Sequence, residues 1–184
     1  MIPNMNLSEA KRETIEPGGY VVRVLRTNID MQYNRLQLEV DIAEGERAGY
    51  FARLQERANF WGLTANLSLN DADRWKFRNA IEAFRKSNPG FQWEDDAEND
   101  EHNMIGMYVG AICRKRHYMG NDGKKKSSLQ VHHLEPIDVI HSGNFEIPED
   151  AYANDYPREQ PAPNRVVDTT APAGFTATDD DTPF

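Results

Sequence analysis

The chain has 184 residues and a net charge of -9, and only 39% of its residues are hydrophobic, so we expect one folded domain and a segment that does not pack. No apolar run reaches the length of a membrane span, and residues 1–6 lack the pattern of a signal peptide, which predicts a cytoplasmic protein with no membrane partner. Cys113 is the only cysteine, which excludes an internal disulfide and a cysteine-based zinc cage and predicts a small core residue.

Three strands open the expected domain, which runs from residue 15 to residue 144 after an N-terminal extension of residues 1–14. The first is the β-rich run 20–25, which follows Gly18 and Gly19. The second, residues 35–42, alternates strictly between apolar and polar side chains and is typical of a half-buried antiparallel strand. A turn at residues 44–46 leads to a third predicted strand over residues 49–54, which we extend towards Trp61.

One helix and two further strands are predicted after these elements. Asn70 is a suitable N-cap, apolar residues recur at helical spacing between residues 77 and 84, and Asn-Pro-Gly at 88–90 ends the helix. The last two strands are predicted at residues 107–114 and 128–132. This order predicts a mainly β protein with the oligonucleotide-binding (OB) fold, a five-stranded Greek-key barrel with its helix between strands three and four.

The connection between the last two strands concentrates positive charge. Residues 114–126 contain six bases and one acid, together with an aromatic residue and a Gly-Asn-Asp-Gly turn. OB folds use this loop to wrap a nucleic acid strand, whose phosphates relieve the repulsion among like charges. The alternative is a solvated basic hairpin without a ligand. The candidate contacts with DNA are Arg114, Lys115, Arg116, Tyr118, Lys124, Lys125 and Lys126.

Aromatic residues near strands two and three provide a second feature of single-strand binding, because unpaired bases stack on aromatic rings. These two strands carry the ligand in OB folds, and the outward face of strand two and the alternating residues of strand three are predicted to meet there. The alternative is that the aromatics belong to the barrel core. The candidate contacts with DNA on this face are Arg35, Gln37, Phe51, Arg53, Arg57, Phe60 and Trp61.

The negative charge is concentrated in two segments. Residues 145–184 contain nine of the 30 acids but two of the 21 bases, and residues 94–101 contain six more acids. The rest of the chain has a surplus of four bases, so a basic surface is compatible with the negative total. Residues 145–178 are rich in proline and poor in apolar side chains, which predicts a disordered linker.

The last six residues are the most specific motif: Asp179, Asp180, Asp181, Thr182, Pro183 and Phe184. They closely resemble the C-terminal tip of bacterial single-stranded DNA-binding proteins, in which an acidic run precedes a hydrophobic residue, proline and phenylalanine. Thr182 replaces the larger aliphatic residue of that family, while the Pro-Phe end is intact. The resemblance implies that Phe184 and its α-carboxylate enter a basic-rimmed pocket on replication, recombination or repair enzymes. The alternative is an acidic tail that only increases solubility.

The resemblance implies a protein that binds and protects single-stranded DNA irrespective of sequence and recruits partners through residues 179–184. The lack of catalytic motifs predicts that it is not an enzyme. The domain, which opens with Gly18-Gly19-Tyr20, looks like the divergent versions encoded by bacteriophages, and this implies the cytoplasm of a bacterial host. The first alternative is an adaptor whose barrel binds protein. The second is a metal-dependent nuclease that uses the acidic run 94–101, although this run lacks the ligand spacing of a calcium loop. The sequence leaves the oligomeric state open.

No other metal or catalytic site is predicted. His132, His133 and Glu135 are potential metal ligands, but neighbouring histidines on a regular strand point to opposite faces. The sequence contains no His-Glu-x-x-His motif, phosphate loop or nucleophile motif, so we expect no cofactor.

Overall fold

Six strands form one sheet in the computed structural model, which describes residues 14–58 and 62–157 without the side chains of residues 55–58. The described elements are, in chain order, β1 (Gly18–Asp30), β2 (Arg35–Ile42), α1 (Tyr50–Ala58), β3 (Leu63–Ser68), α2 (Arg74–Ser87), β4 (Tyr108–Met119), β5 (Lys125–Glu135), α3 (Ile137–Ser142) and β6 (Ala151–Tyr152). Short 3-10 turns precede α2 and β4. The protein is therefore mainly β, as the sequence predicts.

The strands follow the order β3-β2-β1-β4-β5, and each pair of neighbours in this path is antiparallel. The two-residue strand β6 pairs in parallel with β4. The terminal strands of the path, β3 and β5, approach each other, and α2 packs against both. The sheet is thus curved on itself, which is consistent with a barrel-like fold. Among the described helices, none combines the length and the apolar composition that a membrane crossing requires.

Apolar alternation along β2 provides the centre of the core. Leu36, Leu38, Val40 and Ile42 are all buried, and the bounds of β2 are those predicted. The predicted helix is also confirmed as α2, whose buried face includes Ala80, Ile81, Ala83 and Phe84. Asn88 ends this helix, and its side-chain amide donates to the carbonyl oxygens of Phe84 and Tyr108. The amide therefore ties the end of α2 to the start of β4.

The third strand predicted at residues 49–54 is wrong, because these residues begin α1 and the third strand lies at Leu63–Ser68. The carboxylate of Asp41, at the end of β2, accepts hydrogen bonds from the backbone N–H groups of Phe51 at 2.9 Å and Ala52 at 3.2 Å. Asp41 is 5% exposed, so this buried anion meets N–H donors that the first turn of a helix leaves unpaired. Its interaction favours a helix here over the strand that short-range alternation suggests.

Replacing Asp41 by Ala should lower the free energy of unfolding by about 2–3 kcal/mol, because the substitution leaves buried N–H donors without an acceptor. Urea denaturation followed by circular dichroism measures this loss. Asp41→Asn, which keeps one acceptor oxygen, should cost less than Asp41→Ala. Equal stability of the Ala variant and the wild type would show that α1 does not depend on this cap.

The segment that follows β5 covers the face of β1 and β4 that points away from the core. A Cβ atom added to Gly110 would lie 2.5 Å from Ile140 of α3, and one added to Gly19 would lie 2.5 Å from the ring of Phe145. Both glycines therefore allow close approach of apolar side chains. Val21 and Ile112 are buried on this second, smaller apolar layer.

These contacts also bear on the predicted linker. Phe145 packs on β1, and β6 pairs with β4 at residues 116 and 117, so residues 145–157 contact the sheet. Residues 145–157 are therefore part of the structured domain and not the start of a linker. The remaining predicted linker, the tip at residues 179–184 and residues 1–13 lie outside the described residues.

Candidate nucleic-acid interface

The basic connection predicted between the last two strands is a long two-stranded hairpin rather than a loop. β4 continues to Met119 and β5 begins at Lys125, so most of the basic residues lie on paired strands. The turn uses Gly123 at φ 71, a left-handed conformation that glycine adopts without strain. We call residues 114–130 the basic hairpin.

Strand alternation divides the basic hairpin into two faces. The first face continues from the core residues Cys113 and Val131, and it carries Lys115, His117, Met119, Lys125, Ser127 and Leu129. The second face carries Arg114, Arg116, Tyr118, Lys126, Ser128 and Gln130. On the second face, Arg114 Nε donates a hydrogen bond to Gln130 Oε1 at 3.2 Å. A single nucleic acid strand that follows the first face therefore meets two of the six predicted basic residues, and one that follows the second face meets three, while Lys124 lies in the turn.

Few carboxylates neutralise the basic hairpin. Lys126 Nζ lies 3.2 Å from a carboxylate oxygen of Asp122, and Lys115 Nζ lies 3.8 Å from one of Glu16. Within the described part of the chain, neither Arg116 nor Lys124 takes part in an ion pair. Both residues are exposed, so the hairpin offers cations that an external anion can reach.

The outward face of β1, β2 and β3 is polar and hydrogen-bonded across all three strands. Asn28 Nδ2 donates to Gln37 Oε1 at 3.0 Å, and Gln37 Nε2 donates to Asn66 Oδ1 at 3.3 Å. Arg26, Thr27 and Thr64 line a shallow depression around this ladder. The structure therefore places Gln37 on the outward face, as predicted, and adds Asn28 and Asn66 beside it. The alternation of polar residues along β1 and β3 was the signal for both asparagines.

The arginines of this face are already paired. Arg35 donates to Asp30 Oδ2 from both Nε at 3.1 Å and Nη2 at 2.9 Å, and its guanidinium carbon lies 4.8 Å from the centre of the Tyr33 ring. Arg26 Nε lies 2.8 Å from Glu39 Oε2. This face is therefore less cationic than the basic hairpin. Tyr33, which is 61% exposed in the turn between β1 and β2, is an exposed aromatic that is not among the predicted contacts.

The residues predicted on strand three do not form one surface. Phe51 is 8% exposed and packs in the core against Tyr50 at a centroid distance of 5.1 Å, so the alternative of a core aromatic is correct for it. Arg53 is exposed on α1, where its Nη1 donates to the carbonyl oxygen of Ala48 at 2.8 Å. The side chain of Arg57 and the residues Phe60 and Trp61 lie outside the described residues.

A β-bulge changes the interpretation of the two adjacent histidines. Ile112 pairs with His133 and Cys113 pairs with Val131, so His132 is the extra residue of the bulge. Its Nδ1 atom lies 2.6 Å from Nδ1 of His133, so the prediction that the two rings point to opposite faces is wrong. Burial, aided by the nearby Arg114, lowers the pKa of His132. The contact allows one Nδ1–H to be donated from one ring to the Nδ1 atom of the other.

The acidic run forms an exposed turn before β4. Asp100 Oδ1 accepts a hydrogen bond from the backbone N–H of His102 at 2.9 Å and lies 2.7 Å from His102 Nδ1. The hydrogen bonds from His102 lower the pKa of Asp100, and the same contact raises the pKa of His102. Asp100, Glu101 and His102 come close enough to share a cation, but the short internal contacts account for their arrangement.

Cys113 lies in the core, as the sequence predicts. Its side chain is fully buried, and burial raises the pKa of its thiol to about 12. The thiolate is therefore a negligible species at neutral pH, and Cys113 serves packing rather than nucleophilic chemistry.

No family model matches the chain, and no curated protein matches it in a sequence search.

Proposed function

We propose that the protein binds single-stranded DNA irrespective of sequence and recruits replication, recombination or repair proteins through residues 179–184. The basic hairpin is the observation that carries this proposal. It presents exposed cations such as Arg116 and Lys124 on a protruding ribbon, and phosphate backbones are the ligands that such a ribbon attracts most strongly. Binding through phosphates does not depend on base sequence.

The strand arrangement supports the finer assignment to the OB fold. The order β3-β2-β1-β4-β5, the approach of β3 to β5 and the position of α2 between β3 and β4 match a five-stranded Greek-key barrel with one helix. In that fold, the surface of β2 and β3 and the β4–β5 hairpin bind oligonucleotides. The Asn28-Gln37-Asn66 ladder then supplies hydrogen-bonding groups beside the path of the strand.

Support for partner recruitment comes from the resemblance of residues 179–184 to the tip of bacterial single-stranded DNA-binding proteins. A phenylalanine that follows an acidic run is a compact recognition unit, because the aspartates steer the segment towards a basic pocket that the ring can enter. The proposal places DNA binding and partner binding in different parts of the chain.

Incubation of the full chain with a labelled, unstructured oligonucleotide in the presence of Mg²⁺ separates the three functions considered. We expect a saturable complex from which the oligonucleotide is recovered intact. Recovery of shortened strands would identify a nuclease. The absence of any complex would leave the protein-binding adaptor and overturn the proposed function.

A further inference from the structure

The strand β6 extends the sheet beside the basic hairpin. β1 pairs with β4 only as far as Gly18 opposite Cys113, so β4 continues beyond the end of its neighbour. In that position, β6 pairs with Arg116 and His117, and the N–H of Ala153 donates to the carbonyl oxygen of His117 at 2.8 Å. The segment that the sequence assigns to a linker therefore adds its side chains to the hairpin.

Three rings meet where β6 joins β4. The centroids of His117 and Tyr152 are 4.9 Å apart with an angle of 20° between the planes, which is a stacked pair. The centroid of the Tyr156 ring lies 5.5 Å from the centroid of each of these two rings. The carboxylate of Asp150 lies 2.7 Å from His117 Nε2 and fixes the orientation of the imidazole. Tyr152 is nevertheless 42% exposed, so the cluster presents aromatic surface at the edge of the sheet.

Two lysines lie beside this ring cluster. Lys125 Nζ is 5.5 Å from the centre of the Tyr156 ring, and Lys115 shares the strand face of His117. Proteins that bind single strands without sequence preference combine these two elements, aromatic faces for the bases and cations for the phosphates. On the second face of the hairpin, Tyr118 is the one aromatic residue.

We propose that His117, Tyr152 and Tyr156 form a stacking platform for unpaired bases, with Lys115 and Lys125 binding the adjacent phosphates. This inference rests on the proposed function and assigns the nucleic acid to the first face of the basic hairpin. It also makes residues 150–156 part of the binding site rather than part of a linker.

An acidic strap over the hairpin is the competing role for the same segment. Asp150 pairs with His117, and Asp155 is exposed between the two tyrosines, so the segment could instead shield the hairpin from DNA. The two roles predict opposite changes in DNA affinity when the segment is altered. Loss of a platform weakens DNA binding, whereas loss of a strap strengthens it.

The test uses the full chain with both Tyr152→Leu and Tyr156→Leu, titrated into a fluorescent oligo(dT) strand. Affinity should fall by roughly fivefold or more for each stacked base that is lost. The log–log salt slope should stay unchanged, because the substitutions remove no charge. The matched Tyr152→Phe, Tyr156→Phe variant should retain wild-type affinity. The control Tyr108→Leu, a tyrosine that is also 42% exposed but lies near the other end of β4, should bind as the wild type does.

Photo-crosslinking of the wild type to oligo(dT), followed by peptide mapping, tests the same contact without relying on the folding of a variant. Crosslinks should map to Tyr152, Tyr156 or His117. Wild-type affinity of the Leu variant, tighter binding by it, or crosslinks that avoid all three rings would overturn the platform while leaving the proposed function intact. A wild-type chain that fails to bind oligo(dT) would overturn both.

Discussion

Replacing Phe184 by Ala should abolish capture of replication, recombination and repair proteins by the full chain, while DNA affinity stays unchanged. The resemblance of residues 179–184 to a known recruitment tip implies that the Phe184 ring fills a pocket on the partner. Aromatic anchors of this kind account for most of the binding energy of small interfaces, so one truncation is enough to lose capture. Pull-down from a bacterial lysate with wild-type and variant chains, with the captured proteins identified by mass spectrometry, measures the loss.

Deletion of residues 179–184 provides the comparison that separates the contribution of the Phe184 ring from that of the three aspartates. It should also abolish capture, and in addition it should tighten DNA binding slightly at low salt, since three aspartates tethered near a basic hairpin compete with phosphate. This tightening should fade as salt increases, because screening weakens the competition. The Phe184→Ala variant keeps the aspartates, so its DNA binding at low salt should not become tighter. Capture of the same partners by the Phe184→Ala chain would mean that the segment only increases solubility.

Replacing Lys124, Lys125 and Lys126 by Ala should weaken single-strand binding by up to about 100-fold at about 0.1 M salt, since each phosphate contact contributes about 0.7 to the log–log salt slope. With roughly six phosphate contacts in the wild type, the slope should start near -4 and become shallower by up to about two units, the largest change arising if all three lysines contact phosphate. These lysines form one end of the basic hairpin, and all three are exposed. Anisotropy titrations at four or more salt concentrations give both quantities.

A matched control variant has the same net charge as the variant that lacks the three lysines. Arg74, Arg78 and Lys86 are exposed on α2, outside the basic hairpin, and their joint replacement by Ala removes the same number of positive charges. This control should retain nearly the wild-type slope. If the lysine variant and the control behave alike, the hairpin makes no specific contribution and only the total charge matters.

The parts of the fold that the sequence predicted correctly are those in which one pattern decides the structure. In β2, the strict alternation of Leu36, Leu38, Val40 and Ile42 determines both the strand and the face that it buries. In α2, apolar residues at helical spacing and the Asn-Pro-Gly stop do the same. The charge of the basic hairpin was also evident, because its lysines and arginines are close together in the chain.

The failures occur where distant residues decide the local structure. α1 forms where Asp41, ten residues earlier, caps its first turn, although the helix-favouring run from Ala52 to Ala58 was a signal for it. The rings of His132 and His133 meet because a bulge shifts the register, which alternation alone does not reveal. β6 has two residues, too few for a periodic pattern, so the contribution of Tyr152 and Tyr156 to the hairpin became evident only from pairing across the sheet.

The most direct test of the central claim is an equilibrium titration of the full chain into fluorescent oligonucleotides of the same length. Two single strands of unrelated sequence and the duplex of one of them form the set, all measured at the same salt concentration. We expect saturable binding of both single strands with similar affinities and weaker binding of the duplex. No binding, or a clear preference for the duplex or for one of the two sequences, would contradict the central claim.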